Sequence, residues 1–311
     1  MFPKTQVIVN PESNKGQTRK KWREIREALK HFIRDFKYEF TEFPFQAAEI
    51  SRSAIKEGSE LIIGVGGDGT INEIANGFYE NTRIINPNSV LGIVPSGTGC
   101  DLIKSLNVPR GLSNALKTLT EAPSSLIDVG RVTFRDNTGH LTERFFLNVA
   151  DFGIGGEVVK NVTDSRMKRK ASSYLKCLLS TVLSFTNKKV QITIDGRSLD
   201  LEEYMIGAVS NGRVFGKGMK IAPKAKIDDG FFDFILVKGM KLFEFFRNVW
   251  RIYAGTHLSH PKISFIKGKK ITADPVDLKE PVLLELDGDQ LGRLPAVFDI
   301  VPRSILVKGY I

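Results

Sequence analysis

Residues 61–75, LIIGVGGDGTINEIA, are the stretch that decides the fold of this chain. They begin with a short apolar run typical of a buried parallel strand, and Ile71, Ile74 and Ala75 then recur at helical spacing. The glycine-rich segment between them, residues 66–70, is therefore predicted to form a strand-to-helix turn. Glycines let the backbone turn its N–H groups inward beside the positive end of the helix dipole, so this turn is a candidate phosphate site.

The acidic residue in this turn narrows the choice of ligand. The carboxylate of Asp68 would repel a bare phosphate, which argues for a bridging cation such as the Mg²⁺ carried by a nucleotide. A plain tight turn, in which Asp68 and Thr70 only cap the helix, is the alternative. The glycines also fit the dinucleotide pattern G-x-G-x-x-G, but no carboxylate follows about 20 residues later, so that match is weak.

The bulk composition bounds the class of protein. The 311 residues carry a net charge of +10, with a pI near 9.5. This charge implies an anionic partner, and nucleotide phosphates, an acidic membrane surface or nucleic acid would all satisfy it. Cys100 and Cys177 form neither a disulfide framework nor a metal-ligand spacing, which fits a reducing cytosol. No signal peptide and no run of about 18 apolar residues is visible, so a cytoplasmic protein, soluble or peripherally associated with a membrane, is expected.

The first part of the chain alternates strands and helices. The patterns predict strand 5–9, helix 19–32, strand 38–43, helix 47–57, strand 61–65, strand 90–94 and helix 112–119. This order predicts an α/β fold with a parallel sheet. The strand at 90–94 runs into a second glycine-rich loop, PSGTGCD at 95–101, so the two loops are expected to face one crevice. There Thr98 can donate to phosphate, while Asp101 is expected to cap the next helix.

Strands dominate after residue 120. They are predicted at 126–134, 145–150, 190–194, 204–209, 231–237, 262–266, 282–286 and 297–301. Asp195-Gly196 and Asp287-Gly288 are typical of tight hairpins. We therefore expect a boundary near Pro123, between an α/β domain at 1–123 and a mostly antiparallel domain at 124–301.

Two helices are predicted within this β-rich half, at 171–185 and 242–253. The basic cluster RMKRK at 166–170 directly precedes the first helix, which carries a broad apolar face. This pairing is typical of a helix resting on an anionic bilayer, and equally of a core-facing helix with a solvated approach. The sequence leaves both interpretations open.

Taken together, the motifs resemble the diacylglycerol kinase catalytic-domain family, and within it the soluble bacterial lipid kinases. The resemblance runs from Asn10-Pro11 through GGDGTINE (66–73) and PSGTGCD (95–101) to KIDDGFFD (226–233), GTH (255–257) and LDGD (286–289). It implies an α/β nucleotide-binding domain and a β-sandwich-like second domain, with a last strand at about 302–311 returning to the first domain. ATP would bind between the domains and pass its γ-phosphoryl group to a lipid hydroxyl such as that of diacylglycerol.

The resemblance also implies roles for individual residues. On the nucleotide side the matching positions are Asn10, Gly66, Gly67, Asp68, Gly69, Thr70, Glu73 and Thr98. Asp229 matches a position that binds a structural Mg²⁺ together with nearby backbone carbonyls, here those of Lys226 and Phe231. Asp287 and Asp289 match a D-G-E motif, in which the first carboxylate is tied to the metal and the second is the proposed general base. Asp68, Asp287 and Asp289 are thus the candidate catalytic residues.

Two positions depart from the family pattern. Cys100 stands where Asn is common, and Asp289 stands where Glu is common, so the shorter base would need a closer substrate or a bridging water.

The alternatives are an NAD kinase, which also uses a GGDGT turn, and a catalytically weak nucleotide-binding regulator at a membrane surface. The expected partner is a lipid substrate at an anionic membrane surface. Nucleic acid is not expected, because no recognition motif is visible. A homodimer stays open, since some members of the family are dimers.

Overall fold

The computed structural model of the chain describes residues 4–164 and 179–311. Its helices are α1 (Ser13–Phe32), α2 (Gln46–Lys56), α3 (Asp68–Asn76), α4 (Leu102–Ser105), α5 (Leu112–Glu121), α6 (Ile154–Asp164) and α7 (Leu242–Ala254). Residues 179–184 are also helical. The basic cluster at 166–170 and the first part of the helix predicted at 171–185 lie outside the described residues. Within the described ranges, no helix is long and apolar enough to cross a membrane.

The strands share one hydrogen-bonded sheet, except for the small ribbon that β4 and β5 form. They are β1 (Thr5–Val9), β2 (Lys37–Phe40), β3 (Leu61–Gly66), β4 (Tyr79–Glu80), β5 (Arg83–Ile84), β6 (Val90–Pro95), β7 (Ser124–Asp136), β8 (Leu141–Phe146), β9 (Val149–Gly153), β10 (Lys188–Ile194), β11 (Arg197–Ser198), β12 (Glu202–Ser210), β13 (Phe232–Lys238), β14 (Ile263–Gly268), β15 (Lys270–Pro275), β16 (Leu283–Leu286) and β17 (Asp289–Lys308).

The N-terminal strands pair in parallel, in the order β2-β1-β3-β6. Every residue of β1 and β3 is buried, because helices cover both faces of this part of the sheet. One face packs against α1 and α5, and the other packs against α2 and α3. Since β3 and β6 are neighbours and run in the same direction, the loops that follow them leave the sheet at the same edge.

A single long strand, β17, connects this part of the sheet with the β-rich part. It pairs antiparallel with β7, β15 and β16, and near its end Leu306 and Val307 pair in parallel with β6. The strand predicted at 297–301 and the returning strand predicted at about 302–311 are therefore one strand. It continues because its pairing with β7 resumes at Ile305, after an irregularity that contains Arg303 in the left-handed region.

The remaining strands pair antiparallel around a second core. Its largest members are phenylalanines from several strands, among them Phe146, Phe152, Phe234 and Phe298. The strand predicted at 145–150 is wrong in one respect: β8 ends at Phe146 and β9 begins at Val149. The break has a chemical cause, because the N–H groups of residues 147–149 donate to a carboxylate at the tip of another hairpin.

Candidate active site

The two glycine-rich loops touch each other. A Cβ atom built on Gly97 would lie only 2.4 Å from the Cα of Gly67, and Ser96 N donates to Gly66 O at 2.8 Å. The predicted proximity of the two loops is therefore confirmed. The contact needs glycine at position 97, because any side chain there would force the loops apart.

Asp68 connects the two loops through its side chain. Its carboxylate accepts hydrogen bonds from the N–H groups of Asp101 (2.9 Å) and Leu102 (3.2 Å), at the start of α4. Burial raises the pKa of Asp68, and these two hydrogen bonds oppose the rise. Two of the roughly four lone-pair positions of the carboxylate are thus used by protein, which leaves the others for a hydrated cation.

Asp101 does not cap α4 with its side chain, so that prediction is wrong. Asp68, 33 residues upstream, already satisfies the first N–H groups of the helix. The carboxylate of Asp101 instead accepts hydrogen bonds from Lys104 Nζ at 2.6 Å and from Lys217 N at 2.7 Å. It therefore attaches the second glycine-rich loop to the β-rich part of the molecule.

The loop that follows β1 joins the same edge of the sheet. Asn10 Nδ2 donates to Thr70 Oγ1 at 2.9 Å, and Ser13 Oγ donates to Ser96 O at 2.8 Å. Residues 14–16 are in the left-handed region, so the irregular start of α1 forms a turn where the sequence predicts a loop. The Asn10–Thr70 and Ser13–Ser96 hydrogen bonds thus fix the positions of three loops relative to one another.

Thr98 and Glu73 differ in what they offer a ligand. Thr98 is exposed, and its hydroxyl makes no hydrogen bond to any described residue, so it is free to donate. The carboxylate of Glu73 accepts from the N–H groups of Phe45 and Ala47 at the start of α2, and burial raises its pKa. Glu73 therefore positions α2, whereas Thr98 is exposed on the second glycine-rich loop.

Cationic side chains that the sequence analysis did not single out surround the second glycine-rich loop. Arg110 donates to Gly99 O at 3.2 Å, and Lys104 Nζ donates to the carboxylate of Asp101. The side chain of Lys217 lies beside Gly99, with its Cγ 3.9 Å from a Cβ atom built there. Arg213 donates to Lys104 O and to Asn107 Oδ1, so a further guanidinium lies on the same side. Such a group of cations favours a polyphosphate ligand. Only their proximity in the fold identifies them, because they are scattered over residues 104–217.

Cys100 is buried in this loop and adopts the left-handed backbone conformation, with φ 48°. Gly97 N donates to its sulfur at 3.3 Å, and burial raises the pKa of the thiol to about 11. It is therefore an un-ionised packing residue, not a nucleophile. Asn is among the residues most often found in the left-handed region, which gives a physical reason for its frequent use at this position.

The Asp287-Gly288 hairpin between β16 and β17 is confirmed. Both residues have positive φ, 49° and 101°, and Leu286 pairs with Asp289 across the turn. The carboxylate of Asp287 accepts four hydrogen bonds of 2.8–3.0 Å, from Asn72 Nδ2 and from the N–H groups of residues 147, 148 and 149. Burial raises its pKa to about 6 against the effect of these donors. Protein donors thus engage all the lone pairs of this carboxylate. Its contacts therefore do not favour the link to a metal that the resemblance implies.

Asp289 lies at the other side of the hairpin tip, against the first glycine-rich turn. A Cβ atom built on Gly69 would lie 2.8 Å from Asp289 Oδ2. The side chain still reaches solvent. The surrounding protein and the nearby Glu285 and Asp287 carboxyl groups raise the pKa of Asp289 to about 6. A carboxylate with this pKa is suited to accept a proton near neutral pH.

A second pair of carboxyl groups is buried beside this hairpin. Asp151 on β9 lies opposite Glu285 on β16, and both are almost fully buried. Glu285 also accepts a hydrogen bond from Gly288 N at 2.5 Å. Burial and the neighbouring Asp151 raise the pKa of Glu285, which favours a pair that shares a proton. Strand alternation places Glu285 on the opposite face of β16 from Leu284 and Leu286. That face is not open to solvent, because α6 packs against it.

The loop predicted to bind a structural cation is held by protein groups. Asp229 Oδ2 lies 2.6 Å from Lys267 Nζ, and its Oδ1 accepts from Phe231 N at 3.1 Å. Lys267 also lies 3.2 Å from the buried Asp233. The ammonium group of Lys267 thus faces both carboxylates, and a divalent cation would have to compete with it for them. Among the described residues, no group of three or more acidic, His or Cys side chains is arranged to hold a metal.

The buried carboxylate of Asp128, which the sequence analysis missed, anchors this loop. It accepts from Gly230 N at 2.6 Å and from Arg303 N at 2.7 Å, and burial raises its pKa. Among the described contacts of Lys226, Asp229 and Phe231, none reaches the glycine-rich loops or Asp289. The structure therefore brings together the nucleotide-side residues and the hairpin, and leaves the predicted cation loop apart from them.

Comparison with known proteins supports the resemblance over the whole chain. The model described as the diacylglycerol kinase catalytic domain matches residues 4–132, and the YegS C-terminal NAD kinase beta sandwich-like domain matches residues 148–308. A diacylglycerol kinase from Bacillus subtilis is 28% identical over 307 residues, which cover 98% of this chain and 95% of that protein. One from Staphylococcus carnosus is 27% identical over 304 residues, with coverages of 96% and 92%.

Solved structures share the fold. Two structures from Bacillus anthracis, the second described as a diacylglycerol kinase, have TM-scores of 0.76 and 0.70 at 25% and 22% identity. Each alignment covers 99% of this chain, and 96% and 97% of the solved chains. The matched domains, the full-length relatives and the shared fold agree, and the chain belongs to the diacylglycerol kinase catalytic-domain family, in its bacterial branch.

Proposed function

We propose that the protein is an ATP-dependent lipid kinase that transfers the γ-phosphoryl group of ATP to a lipid hydroxyl, with diacylglycerol as the leading substrate. The observation that carries this proposal is the contact between Gly69 and Asp289, where a built Cβ would lie 2.8 Å from the carboxylate. It brings a proton acceptor from the hairpin to the first turn of a helix suited to hold phosphate. Phosphoryl transfer needs this combination of a phosphate cradle and a carboxylate near the acceptor hydroxyl.

On the nucleotide side, the polyphosphate would lie between the two glycine-rich loops. Backbone N–H groups of residues 66–70 and the free hydroxyl of Thr98 would donate to its oxygens, with the side chains of Lys104, Arg110 and Lys217 supplying positive charge. Mg²⁺ carried by ATP would neutralise phosphate charge, and Asp68 is the residue that would orient it. Asn10, Thr70 and Glu73 would act by holding these loops in place.

On the acceptor side, Asp289 would take the proton from the lipid hydroxyl as that oxygen attacks the γ-phosphorus. Asp287 would position the hairpin through its four hydrogen bonds and would not itself touch the substrate. A structural cation at Asp229, with the carbonyls of Lys226 and Phe231, would have to displace the ammonium of Lys267. No step of the proposed reaction depends on that exchange.

The proposal also divides the chain. Residues 1–123 and the end of β17 would form the nucleotide part, while residues 124–301 would receive the lipid. The acyl chains would lie on apolar surface of this second part, at an anionic membrane surface that the net charge of +10 favours.

The test is the transfer of labelled γ-phosphate from ATP in the presence of Mg²⁺. Diacylglycerol, phosphatidylglycerol and ceramide in mixed micelles are assayed beside NAD. Asp289→Asn removes the proposed base, and Asp274→Asn, at an exposed position of β15, is the matched control. Label in an extracted lipid, lost in Asp289→Asn and retained in Asp274→Asn, is the expected result.

Other outcomes refute the proposal in different ways. Label in NAD would make the protein an NAD kinase. Bound ATP without label in any acceptor would favour a regulator that has lost catalysis. Lipid phosphorylation that survives Asp289→Asn would remove the assignment of the base while leaving the lipid kinase in place.

A further inference from the structure

Helix α7 presents a face of large aromatic side chains to solvent. Phe243, Phe246, Trp250 and Tyr253 are 77%, 40%, 61% and 51% exposed, and we call them the aromatic face. Their spacing of i, i+3, i+7 and i+10 places them within an arc of about 80° on the helix, at about 100° per residue. A row of four exposed aromatic residues is larger than the scattered apolar residues of an ordinary surface.

The aromatic face is not the face that holds α7 on the protein. Phe245 and Ile252, on the opposite side of the helix, pack against the core that contains Met205 and Ile235. Glu244 reinforces this attachment through Lys262 Nζ at 2.6 Å. The helix is therefore anchored by one face and leaves the aromatic face exposed. Within this helix the ring of Phe246 contacts that of Phe245, with the ring centroids 5.5 Å apart.

The charges beside the aromatic face are positive. Arg247 is exposed and borders the aromatic face, and Lys241 is exposed at the N-terminal end of α7. Arg251, further round the helix, donates to Thr256 O and Ser259 Oγ, both neutral acceptors. No carboxylate of the described residues forms an ion pair with any of these three cations. Glu244 is the only acid in the helix, and it is engaged by Lys262. The outer side of α7 therefore combines aromatic rings with uncompensated positive charge, which is complementary to an anionic lipid surface.

The helix is also connected to the candidate active site. Lys220 N donates to Ile252 O at 3.0 Å near the end of α7. Three residues earlier in the same loop, Lys217 N donates to the carboxylate of Asp101, which belongs to the second glycine-rich loop. Lys220 itself is exposed and adds a further positive charge beside the helix. A surface bound through α7 would thus lie close to the loop that reaches the phosphate site.

We propose that α7 docks the protein on anionic membranes, with the aromatic face inserted at the level of the lipid headgroups and its flanking lysine and arginine residues on acidic headgroups. Trp and Tyr favour this interface because each combines an apolar ring with a polar group, and Phe supplies apolar area on the buried face of such helices. The inference deepens the proposed function, since a lipid kinase must reach a substrate that resides in a bilayer. Docking is nevertheless measurable without ATP and without turnover.

The two tryptophans of the chain give a direct readout. Trp22 is buried, at 8% exposure, whereas Trp250 is 61% exposed in the aromatic face. Vesicles of phosphatidylglycerol and phosphatidylcholine should shift the emission to shorter wavelength, and brominated lipid should quench it. Trp250→Phe should keep vesicle binding in a sedimentation assay and lose the change in emission. Sedimentation of the protein with an unchanged Trp250 signal would mean that another surface docks, and would overturn the proposal.

Matched variants separate insertion of the aromatic face from nonspecific adsorption of the protein to vesicles. Phe246→Ser combined with Trp250→Ser should lower partitioning onto anionic vesicles on the order of tenfold or more, because buried apolar area is lost. Leu141→Ser combined with Leu278→Ser, which changes two side chains that are 71% and 76% exposed elsewhere, should leave partitioning unchanged. Arg247→Glu should weaken binding to anionic vesicles, while Lys21→Glu on α1 should have much less effect. Equal losses in variants and controls would refute the assignment to α7.

Two further readouts keep this proposal distinct from the kinase proposal. Turnover of a short-chain, water-soluble diacylglycerol should be unchanged in the α7 variants and reduced only with vesicle substrate. Vesicle binding through Trp250 by a protein that phosphorylates no lipid would leave the docking surface standing and refute the kinase. A concentration-dependent dimer that Phe246→Ser and Trp250→Ser abolish would instead assign the aromatic face to a second copy of the chain.

Discussion

The close approach of the two glycine-rich loops makes Gly97→Ala the sharpest test of the site. The added Cβ would lie 2.4 Å from Gly67 Cα and 3.2 Å from both Gly67 N and Cys100 Sγ. Ordinary carbon contacts are about 3.5–4.0 Å. The loops would therefore have to separate by about 1.1–1.6 Å. The backbone of Gly97 is not in the left-handed region, so alanine meets this steric conflict without additional backbone strain.

A displacement of this size should act mainly on the reaction. A misplacement of about 1 Å in an active site lowers the rate by roughly a hundredfold, equivalent to about 2.7 kcal/mol in the activation free energy. We expect kcat/KM for labelled transfer from ATP to fall by about that factor. Overpacking should also lower the free energy of unfolding by about 1–3 kcal/mol, which thermal unfolding would measure.

Gly99→Ala is the matched control on the same loop. Its Cβ would lie 3.4 Å from Asp68 Oδ2, an ordinary contact, so its loss of activity should be much smaller. Wild-type kcat/KM in Gly97→Ala would refute the reasoning, because it would mean that the reaction tolerates separated loops. Equal losses in both variants would also refute it, since loop separation would then not be the cause.

Three further predictions concern the carboxyl groups of the hairpin. Because the pKa of Asp289 is raised to about 6, kcat should fall as the pH drops below about 6. A pH–rate profile measures this. An acidic limb with an apparent pKa near 3.8, the ordinary value for Asp, would contradict the prediction. Asp287→Ala leaves four donors, from residues 72 and 147–149, without their acceptor. It should therefore lower the free energy of unfolding, measured in urea, by about 3–5 kcal/mol. A loss under about 1 kcal/mol would contradict the anchoring role of Asp287. The raised pKa of Glu285 means that the folded protein holds this proton more tightly than the unfolded chain, so its contribution to stability is present at low pH and is lost as pH rises through the folded pKa. The Tm of the wild-type protein should therefore fall over this pH range, and Glu285→Gln should make the fall smaller. Parallel plots of Tm against pH for variant and wild type would exclude the protonated pair with Asp151.

Local patterns predicted the elements that carry the site. The strand predicted at 61–65 forms β3, which extends to Gly66, and the glycine-rich turn after it opens α3 at Asp68. The second glycine-rich loop follows β6, and both Asp-Gly turns are hairpins. These features are visible in sequence because each depends on residues within a few positions of one another.

The contacts that the sequence did not reveal are those between distant residues. Capping of α4 by Asp68 spans 33 positions, and the hydrogen bonds from residues 147–149 to Asp287 span 138–140 positions. Helix α6 was missed because it opens with Gly155-Gly156, a pair that disfavours helix. These glycines are needed for close packing: built Cβ atoms would lie 2.0 Å from Asp151 Oδ1 and 2.8 Å from Leu283 Cβ. Missing α6 also hid the buried environment of Glu285.

The Asp287-Gly288 hairpin shows why a structural and a functional interpretation of one motif need not compete. Asp287 is turned inward, where four N–H groups engage its carboxylate, and this fixes the tip of the hairpin against α3 and the break between β8 and β9. Asp289, two residues later, is turned toward Gly69 and solvent. A short aspartate can serve as the base only if its backbone is held close to the phosphate turn, and the inward aspartate supplies that restraint. The two carboxylates should therefore separate in experiment, with Asp287 variants losing stability first and Asp289 variants losing rate in a protein that stays folded.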